Sequence, residues 1–409
     1  MKKVLLSAYA CSPIRGSEPG NGWTWAVNIA NLGYEVWCIT NIEDKEITEA
    51  HHQKLGLKNL HFIFIPVPFG LDKYLLDTSS KKIYFHYLLW RRRGAAIALK
   101  LHKENKFDIA HHVTFGSLQL GTCLWKLRNI NLVFGPIGGG QKALPAFKEY
   151  FGKAWKIEKI RNVFSRLTFY FSKGTKETLK RARHILVTNK DTELLIKQKN
   201  SKAIAKVHFM LDNAVPESME NLPHVEKNYQ GCLKLLWVGR MLPRKGLNLV
   251  LHALSKIPDS VPYQLTIVGG GEQFQYLHEW IRKYKLDPQK IKIVGQIPFS
   301  DVIKHYQESE VFIFCSLRDS CPAQISEAMA FGLPPIVLDL HGSALAVPDN
   351  CGIKVKVTTP EETAAEIAKA VISLYENKNQ LALYSKASIT YSKVNTWKKK
   401  AEYISANYY

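Results

Sequence analysis

The sequence has no CxxC pair, no apolar run long enough to cross a bilayer, no low-complexity tract and no repeat of solenoid length. Each absence removes a class of protein. Seven cysteines (Cys11, Cys38, Cys123, Cys232, Cys315, Cys321, Cys351) are scattered and odd in number, which argues against a disulfide framework or a zinc site and fits a reducing compartment. A cytoplasmic protein is therefore expected. No stretch approaches the roughly 18 to 20 uninterrupted apolar residues of a membrane span, so the chain is expected to be soluble or peripheral. The start, MKKVLLSAYACS, imitates a lipoprotein signal, but its apolar run is short and leads into a Gly-rich turn and a second periodic segment; a first β-strand accounts for it. No Ser-His-Asp or Cys-His constellation and no metal-binding motif is found.

What is present begins with size. A chain of 409 residues exceeds what one core usually organises, and 46% apolar content is ample for two. Acidic residues are outnumbered, 35 against 56 Lys or Arg, for a net charge of +21. Part of this is concentrated. Between Lys148 and Lys206, 16 basic residues meet 5 acidic ones, a local net charge of +11, with Trp155, Ile157, Ile160, Val163, Phe164, Leu167, Phe169 and Tyr170 interleaved. The pattern suits an amphipathic surface on anionic lipid headgroups. A nucleic-acid surface and a plain solvated face are the competing readings.

Apolar, β-branched runs alternate with helical patterns, as in parallel sheets built from βαβ units. The first half shows Val4 to Tyr9, Val36 to Thr40, Leu60 to Pro66, Ile109 to Val113, Leu132 to Gly135 and Ile185 to Thr188, with helices expected to begin near Gly22, Ile83 and Leu118. The second half repeats the scheme with Leu233 to Gly239, Gln264 to Gly269, Ile291 to Val294, Val311 to Ser316 and Pro335 to Leu338. Two Rossmann-like domains follow, residues 1–213 and 214–389, joined near Asn213 to Tyr229 where Pro216 and Pro223 interrupt the periodicity. The stretch from Leu381 reads as helices, and a helix over 390–409 is a candidate to complete the first domain. Ligands in such sheets bind outside the carboxyl ends of the strands.

The most informative loop follows Val311 to Ser316. It runs Leu-Arg-Asp-Ser-Cys321, then Pro322-Ala-Gln-Ile-Ser-Glu-Ala-Met-Ala-Phe-Gly332. Pro322 suits a first helical position and Gly332 a helix stop. Free N–H groups at that helix start can hold a phosphate. Asp319 and Glu327 would bring two carboxylates to one ligand, and a carboxylate accepts from vicinal hydroxyls such as those of ribose. Upstream, Val238-Gly-Arg240 precedes Met-Leu-Pro-Arg-Lys245-Gly246; Arg240 as a fork and Lys245 as a point charge can neutralise a leaving diphosphate. A glycine turn, Gly269-Gly270-Gly271, follows the next strand and permits close backbone approach.

Here the chain resembles the family-4 retaining glycosyltransferases (glycosyl transferases group 1). Their pattern is Glu, seven residues, Glu, then Ala-Met-Ala, Gly and Pro; this chain has Asp319, seven residues, Glu327 and the same closing residues. The first acid is Asp rather than Glu. The resemblance implies the GT-B fold: α/β, two Rossmann-like domains with parallel sheets facing across an inter-domain cleft. It implies a retaining, metal-independent glycosyltransferase of hexosyltransferase type, with same-face attack and the leaving phosphate taking the acceptor's proton. By resemblance, Glu327 binds the donor ribose, the loop from Asp319 through Cys321, Pro322 and Ala323 meets the donor sugar and diphosphate, Arg240 and Lys245 bind the pyrophosphate, and Gly269, Gly270 and Ile297 border the base. Gly16 and Gly20 of the first Gly-rich loop would lie against the donor phosphates, and Glu18, Thr114, Gly138, Gly139 and Gly140 on the acceptor or sugar side. Many members carry a sugar-contacting histidine at the end of the fourth strand, a role that falls on the pair His111 and His112 without a choice between them.

The expected function is transfer of a sugar from a nucleotide-diphosphate sugar to a saccharide or lipid-linked saccharide, in cell-surface polysaccharide or glycolipid assembly. The nucleotide sugar is a co-substrate; no cofactor, no metal and no nucleic acid is expected. The expected partners are that donor, the acceptor and an anionic membrane surface, the inner face of the plasma membrane, through the basic region 148–206. A sugar-phosphate synthase or nucleotide-sugar epimerase on the same fold is the alternative enzyme, and a basic nucleic-acid-binding protein the alternative from another class.

Overall fold

Apolar runs separated by helices return the chain to the same end of a sheet each time, and the strands accordingly pair in parallel. The computed structural model of the chain describes residues 1–76, 82–220, 222, 227 and 229–409. Pro223, expected in the join, lies outside them. Two compact units form: Met1–Gly140 with Val163–Asn213 and Trp397–Tyr409, and Gln141–Asn162 with Ala214–Thr396.

The first unit holds β1 (Lys3–Ala8), β2 (Glu35–Thr40), β3 (Leu60–Phe64), β4 (Ile109–Thr114), β5 (Asn131–Ile137), β6 (His184–Val187) and β7 (Val207–Phe209). Their order is β3-β2-β1-β4-β5-β6-β7. Val4 pairs with both Val36 and Ile109, which sets β1 between β2 and β4. Strands covered on both faces are buried along their length, so β4 buries all six residues, its two histidines included. Helix Ser17–Asn31 follows β1, buries Trp25, Ala26, Ile29 and Ala30, and stops where Gly33 turns left-handed at φ +85. Helix Trp397–Tyr408 lays Trp397 edge-on to Trp25 at 5.5 Å.

The second unit holds β8 (Leu233–Val238), β9 (Tyr263–Val268), β10 (Ile291–Gly295), β11 (Val311–Phe314), β12 (Pro335–Leu338) and β13 (Ile353–Val355). Their order is β10-β9-β8-β11-β12-β13. The order reverses at β8 and β11, the switch point at which such sheets open a crevice at their carboxyl ends.

The eleven expected strands all form, with ends within two residues of expectation. β7 and β13 were not expected; each has three residues and lies at a sheet edge, too short to show a period. No long helix starts near Leu118: 3-10 turns at Leu118–Leu120 and Cys123–Lys126 stand there, separated by Gly121 at φ +62. Residues 141–162, expected in the first domain, belong to the second unit. At the C-terminus, the residues that return to the first unit begin at Trp397 rather than 390.

Candidate functional site

Three loops at the carboxyl ends of β8, β9 and β11 are interlocked by backbone. The Arg244 carbonyl accepts from Ser316 Oγ at 2.8 Å, Leu317 N at 2.8 Å and Arg318 N at 3.3 Å. Gly246 sits at φ +72 with a Cβ position that would collide with the Cys315 carbonyl, and Gly269, at φ +130, similarly abuts the Gly239 carbonyl. Met241 N donates to Gly270 O at 2.7 Å and Gln273 N to Met241 O at 3.0 Å. The glycines are thus required by loop-on-loop packing as well as by any ligand.

Within this frame Lys245 is only 6% exposed. Its ammonium pairs with Asp319 Oδ2, which also takes Arg244 Nη1 at 3.2 Å, while Ser320 N donates to Oδ1 at 3.1 Å. Burial works to raise the Asp319 carboxyl, but the Lys245 and Arg244 charges overcome it and hold it at about 2. Burial pulls Lys245 below its ordinary value, with Asp319 opposing. Arg244, which directly precedes Lys245, was not among the expected site residues. Arg240 is exposed and forms no ion pair among the described residues, leaving its guanidinium available.

Glu327 lies on helix Ala323–Ala330, for which Pro322 is the N-cap rather than the first helical residue. Gly332 follows the helix at φ +70, as expected of a stop. Glu327 is 8% exposed and accepts from the Tyr306 hydroxyl at 2.8 Å. Burial pushes its carboxyl up to about 7, against the pull of the Tyr306 hydrogen bond and the Lys245 charge. Lys245 therefore acts on both acids of the motif. Tyr306, stacked on Phe331 at 5.5 Å, also escaped the sequence reading; its spacing of four from Val302, the other buried residue of helix Phe299–Glu308, was the available signal. Cys321 and Ile297 are partly exposed near the loop tips, as are Gly269 and Gly270.

A second layer backs Asp319. Arg318 donates to Glu158 Oε1 at 3.0 Å, and Arg161 to Glu158 Oε2 at 3.1 Å. The arrangement concentrates positive charge, Arg240, Arg244, Lys245 and Arg318, at the end of β8 and β11. That excess can bind a diphosphate, and Glu327 can accept from a diol.

In the first unit, Gly20 abuts the Arg15 carbonyl, a close approach within the loop itself, whereas Gly16 faces open space. Glu18, on the first turn of helix Ser17–Asn31, accepts from Gly116 N at 2.5 Å, and burial raises its carboxyl to about 6. His111 and His112 are 0% exposed. His111 places Nε2 2.7 Å from Gly135 O and Nδ1 2.5 Å from Tyr409 Oη; His112 places its nitrogens 3.4 Å from Ser7 Oγ and 3.1 Å from Phe115 O. Burial lowers them to about 3 and about 4, so both are neutral core groups whose nitrogens are already engaged. The Thr114 hydroxyl is spent on the Ala10 backbone, donating to its carbonyl at 3.0 Å and accepting from its N–H at 3.1 Å. Gly138 bridges Gly116 and Leu118, while Gly139 and Gly140 make room for Gln119 and Asp191 of the same unit. Their close approach is to neighbouring protein. Among the described residues no cluster of His, Cys, Asp and Glu is arranged to hold a metal, and no helix is long and apolar enough to cross a membrane.

Residues 218–390 match the family model described as glycosyl transferases group 1. An uncharacterized glycosyltransferase of Methanocaldococcus jannaschii is 24% identical over 253 residues, 60% of this chain and 63% of its own length. The alignment thus spans less than two thirds of that relative. The UDP-Gal:alpha-D-GlcNAc-diphosphoundecaprenol alpha-1,3-galactosyltransferase of Escherichia coli is 25% identical over 62% of each chain. Among solved structures, sucrose-phosphate synthase of Thermosynechococcus elongatus superposes with a TM-score of 0.63 at 17% identity, covering 100% of this chain and 98% of that one. Anabaena HepE, solved in complex with UDP, gives 0.61 at 13% identity, covering 99% and 100%. Both whole-chain superpositions carry the two-sheet architecture, and Arg240, Lys245, Asp319 and Glu327 all fall inside the family match: the chain has the GT-B fold, and its residues 218–390 match the glycosyl transferases group 1 family.

Proposed function

We propose that the protein is a retaining glycosyltransferase that moves a sugar, of hexose type, from a nucleotide-diphosphate donor to a saccharide or lipid-linked saccharide, in cell-surface polysaccharide or glycolipid assembly. The observation that carries this is the buried Lys245–Asp319 pair beside the exposed Arg240, at the carboxyl ends of β8 and β11 in a stretch that matches this family. The acceptor class is supported by the E. coli relative, whose named acceptor is a diphosphoundecaprenol-linked sugar. A uridine nucleotide is the donor to try first, since HepE was solved with UDP.

In this reading Glu327 accepts from the donor ribose, and the diphosphate sits against Arg240, Lys245 and the N-terminus of helix Ala323–Ala330. As the bond from the anomeric carbon to the β-phosphate oxygen breaks, these groups stabilise the charge gathering on that oxygen. The acceptor oxygen attacks from the same face, and the departing phosphate takes its proton. The cations of the chain replace a metal ion, so chelation leaves the rate unchanged. Glu18 is the acidic group of the first unit assigned to the acceptor side.

The test is a thermal-shift panel of UDP, GDP, ADP and their common sugars, with Glu327→Ala alongside. A ligand at 100 times its Kd stabilises the folded state by about 2.7 kcal/mol. A shift with one diphosphate, lost in the variant, supports the donor site; no shift with any nucleotide overturns it.

A further inference from the structure

Helix Ala154–Phe171 is built inside out. Its inward residues, at helical spacing, are mostly polar: Glu158 is buried, and Arg161, Asn162, Ser165 and Thr168 are half-buried, with Trp155 a half-buried apolar exception. Phe169 is the one large apolar side chain of this helix that is fully buried. The outward stripe is Ile157, Ile160, Phe164, Leu167 and Phe171, spaced three or four apart, with exposures from 52% to 83%. Val163 and Tyr170 widen it. At about 100° per residue the apolar arc covers roughly 140°. A surface helix normally turns such an arc toward the core, so this one lacks its partner.

The charges around the arc identify that partner. Lys153, Lys156, Lys159, Arg166 and Lys173 are all exposed on or beside the helix. Its sole acid, Glu158, is withdrawn into ion pairs with Arg161 and Arg318. The outer surface therefore combines an apolar stripe with exclusively positive charge. A second copy of the chain would bring like charge against like charge, and a nucleic acid would leave the aliphatic stripe in water. An anionic lipid surface satisfies both features: the side chains enter the acyl boundary while Lys and Arg meet headgroup phosphates.

We propose that the outer face of helix Ala154–Phe171 docks the protein on anionic phospholipid, lying in the plane of the interface. This goes beyond sugar transfer and does not depend on it. The test is flotation of the full chain with phosphatidylcholine vesicles and with vesicles containing added phosphatidylglycerol, at low and physiological salt. Two variants accompany it, Phe164→Asp/Leu167→Asp and Lys156→Glu/Lys159→Glu, all at exposed positions, with unchanged melting temperature as the check on folding. Recovery is expected with anionic vesicles only. Each lysine reversal should weaken it by at least roughly fivefold, and the aspartate pair should abolish it. Equal recovery with both vesicle types overturns the proposal, as does binding that survives the aspartate pair. Salt-sensitive RNA binding without vesicle binding, or self-association lost in the aspartate pair without vesicle binding, overturns it in favour of those occupants. Nucleotide thermal shifts measured on the same variants keep this outcome separate from that of the donor site.

Discussion

Replacing Glu327 by Gln keeps an acceptor oxygen for the Tyr306 hydroxyl, 2.8 Å away, and removes only the ionisation. Burial carries the Glu327 carboxyl from its ordinary 4.5 to about 7 in the folded chain. The folded state therefore holds a proton that the unfolded state releases, and stability falls as pH rises from 4.5 to 7, staying low above that. The difference corresponds to about 3 kcal/mol. Against Glu327→Gln, the wild type should be comparable near pH 4.5 and about 3 kcal/mol relatively less stable at pH 8. For a unit of this size that is a relative change of roughly 6 to 12 °C in melting temperature. Calorimetric scans of both proteins from pH 4.5 to 8 measure it. If the two pH profiles run parallel, the carboxyl is not held neutral by its surroundings and the account of this site fails. Saturating nucleoside diphosphate supplies a second reading: ribose hydroxyls donating to the ionised carboxylate should flatten the wild-type profile, and the Gln variant should gain no such effect.

Asp319→Asn leaves the buried Lys245 without its counter-charge and should cost about 3 to 5 kcal/mol in urea unfolding at neutral pH; Asp319→Asn/Lys245→Met should cost less than the sum of the singles, and simple additivity would refute the pairing. The depressed Asp319 value means its contribution is present above pH 3.8 and lost as pH falls through about 2, so Asp319→Asn should flatten acid unfolding in that window. His111 and His112, lowered to about 3 and about 4, refuse protons that the unfolded chain takes up below about 6.5; the deficit of a His112→Gln variant relative to wild type should therefore shrink between pH 7 and pH 4, and a constant deficit would show the ring to be protonated in the fold. Glu158→Gln should weaken nucleotide binding and lower stability by a few kcal/mol, since Arg318, beside Asp319, loses its partner; unchanged values for both would remove Glu158 from the positioning of that loop.

What could be read in advance divides along physical lines. The strands were legible because parallel strands buried on both faces must be apolar throughout, as in Val311 to Phe314. The second unit's motif residues were legible because a strand, a short loop and a helix start fix their neighbourhood over a few residues. The burial of His111 and His112 was not legible: a strand position says where a residue stands along the sheet, while its exposure depends on its neighbours, here Trp25 and Tyr409 against His111 and Phe134 of the adjacent strand beside His112. The surroundings of Gly139 and Gly140 were not legible because an approach forced by neighbouring chain leaves the same glycines as one forced by a ligand. The passage of residues 141–162 into the second unit rests on long-range pairs such as Glu158 with Arg318, separated by 160 positions, for which no local period exists.

Those long-range pairs bear on how the proposed donor site is balanced. Lys245 and Arg244 share the single carboxylate of Asp319, Arg318 shares Glu158 with Arg161, and Arg240 stands exposed. Counting ionised groups, four cations at the strand ends meet Asp319 and a Glu158 shared with Arg161, and Glu327, titrating near 7, adds about half a negative charge at neutral pH. A residual positive charge of about two remains, held on loops whose geometry is fixed by the Arg244 carbonyl. A site neutralised completely by its own acids would have to break ion pairs to take up a diphosphate, and a site without Asp319 would pay for a bare ammonium in the core. The shorter Asp, reaching Lys245 directly, suits the intermediate arrangement: it keeps the lysine charged and in place while leaving the excess that a nucleoside diphosphate, but not a neutral sugar, can answer.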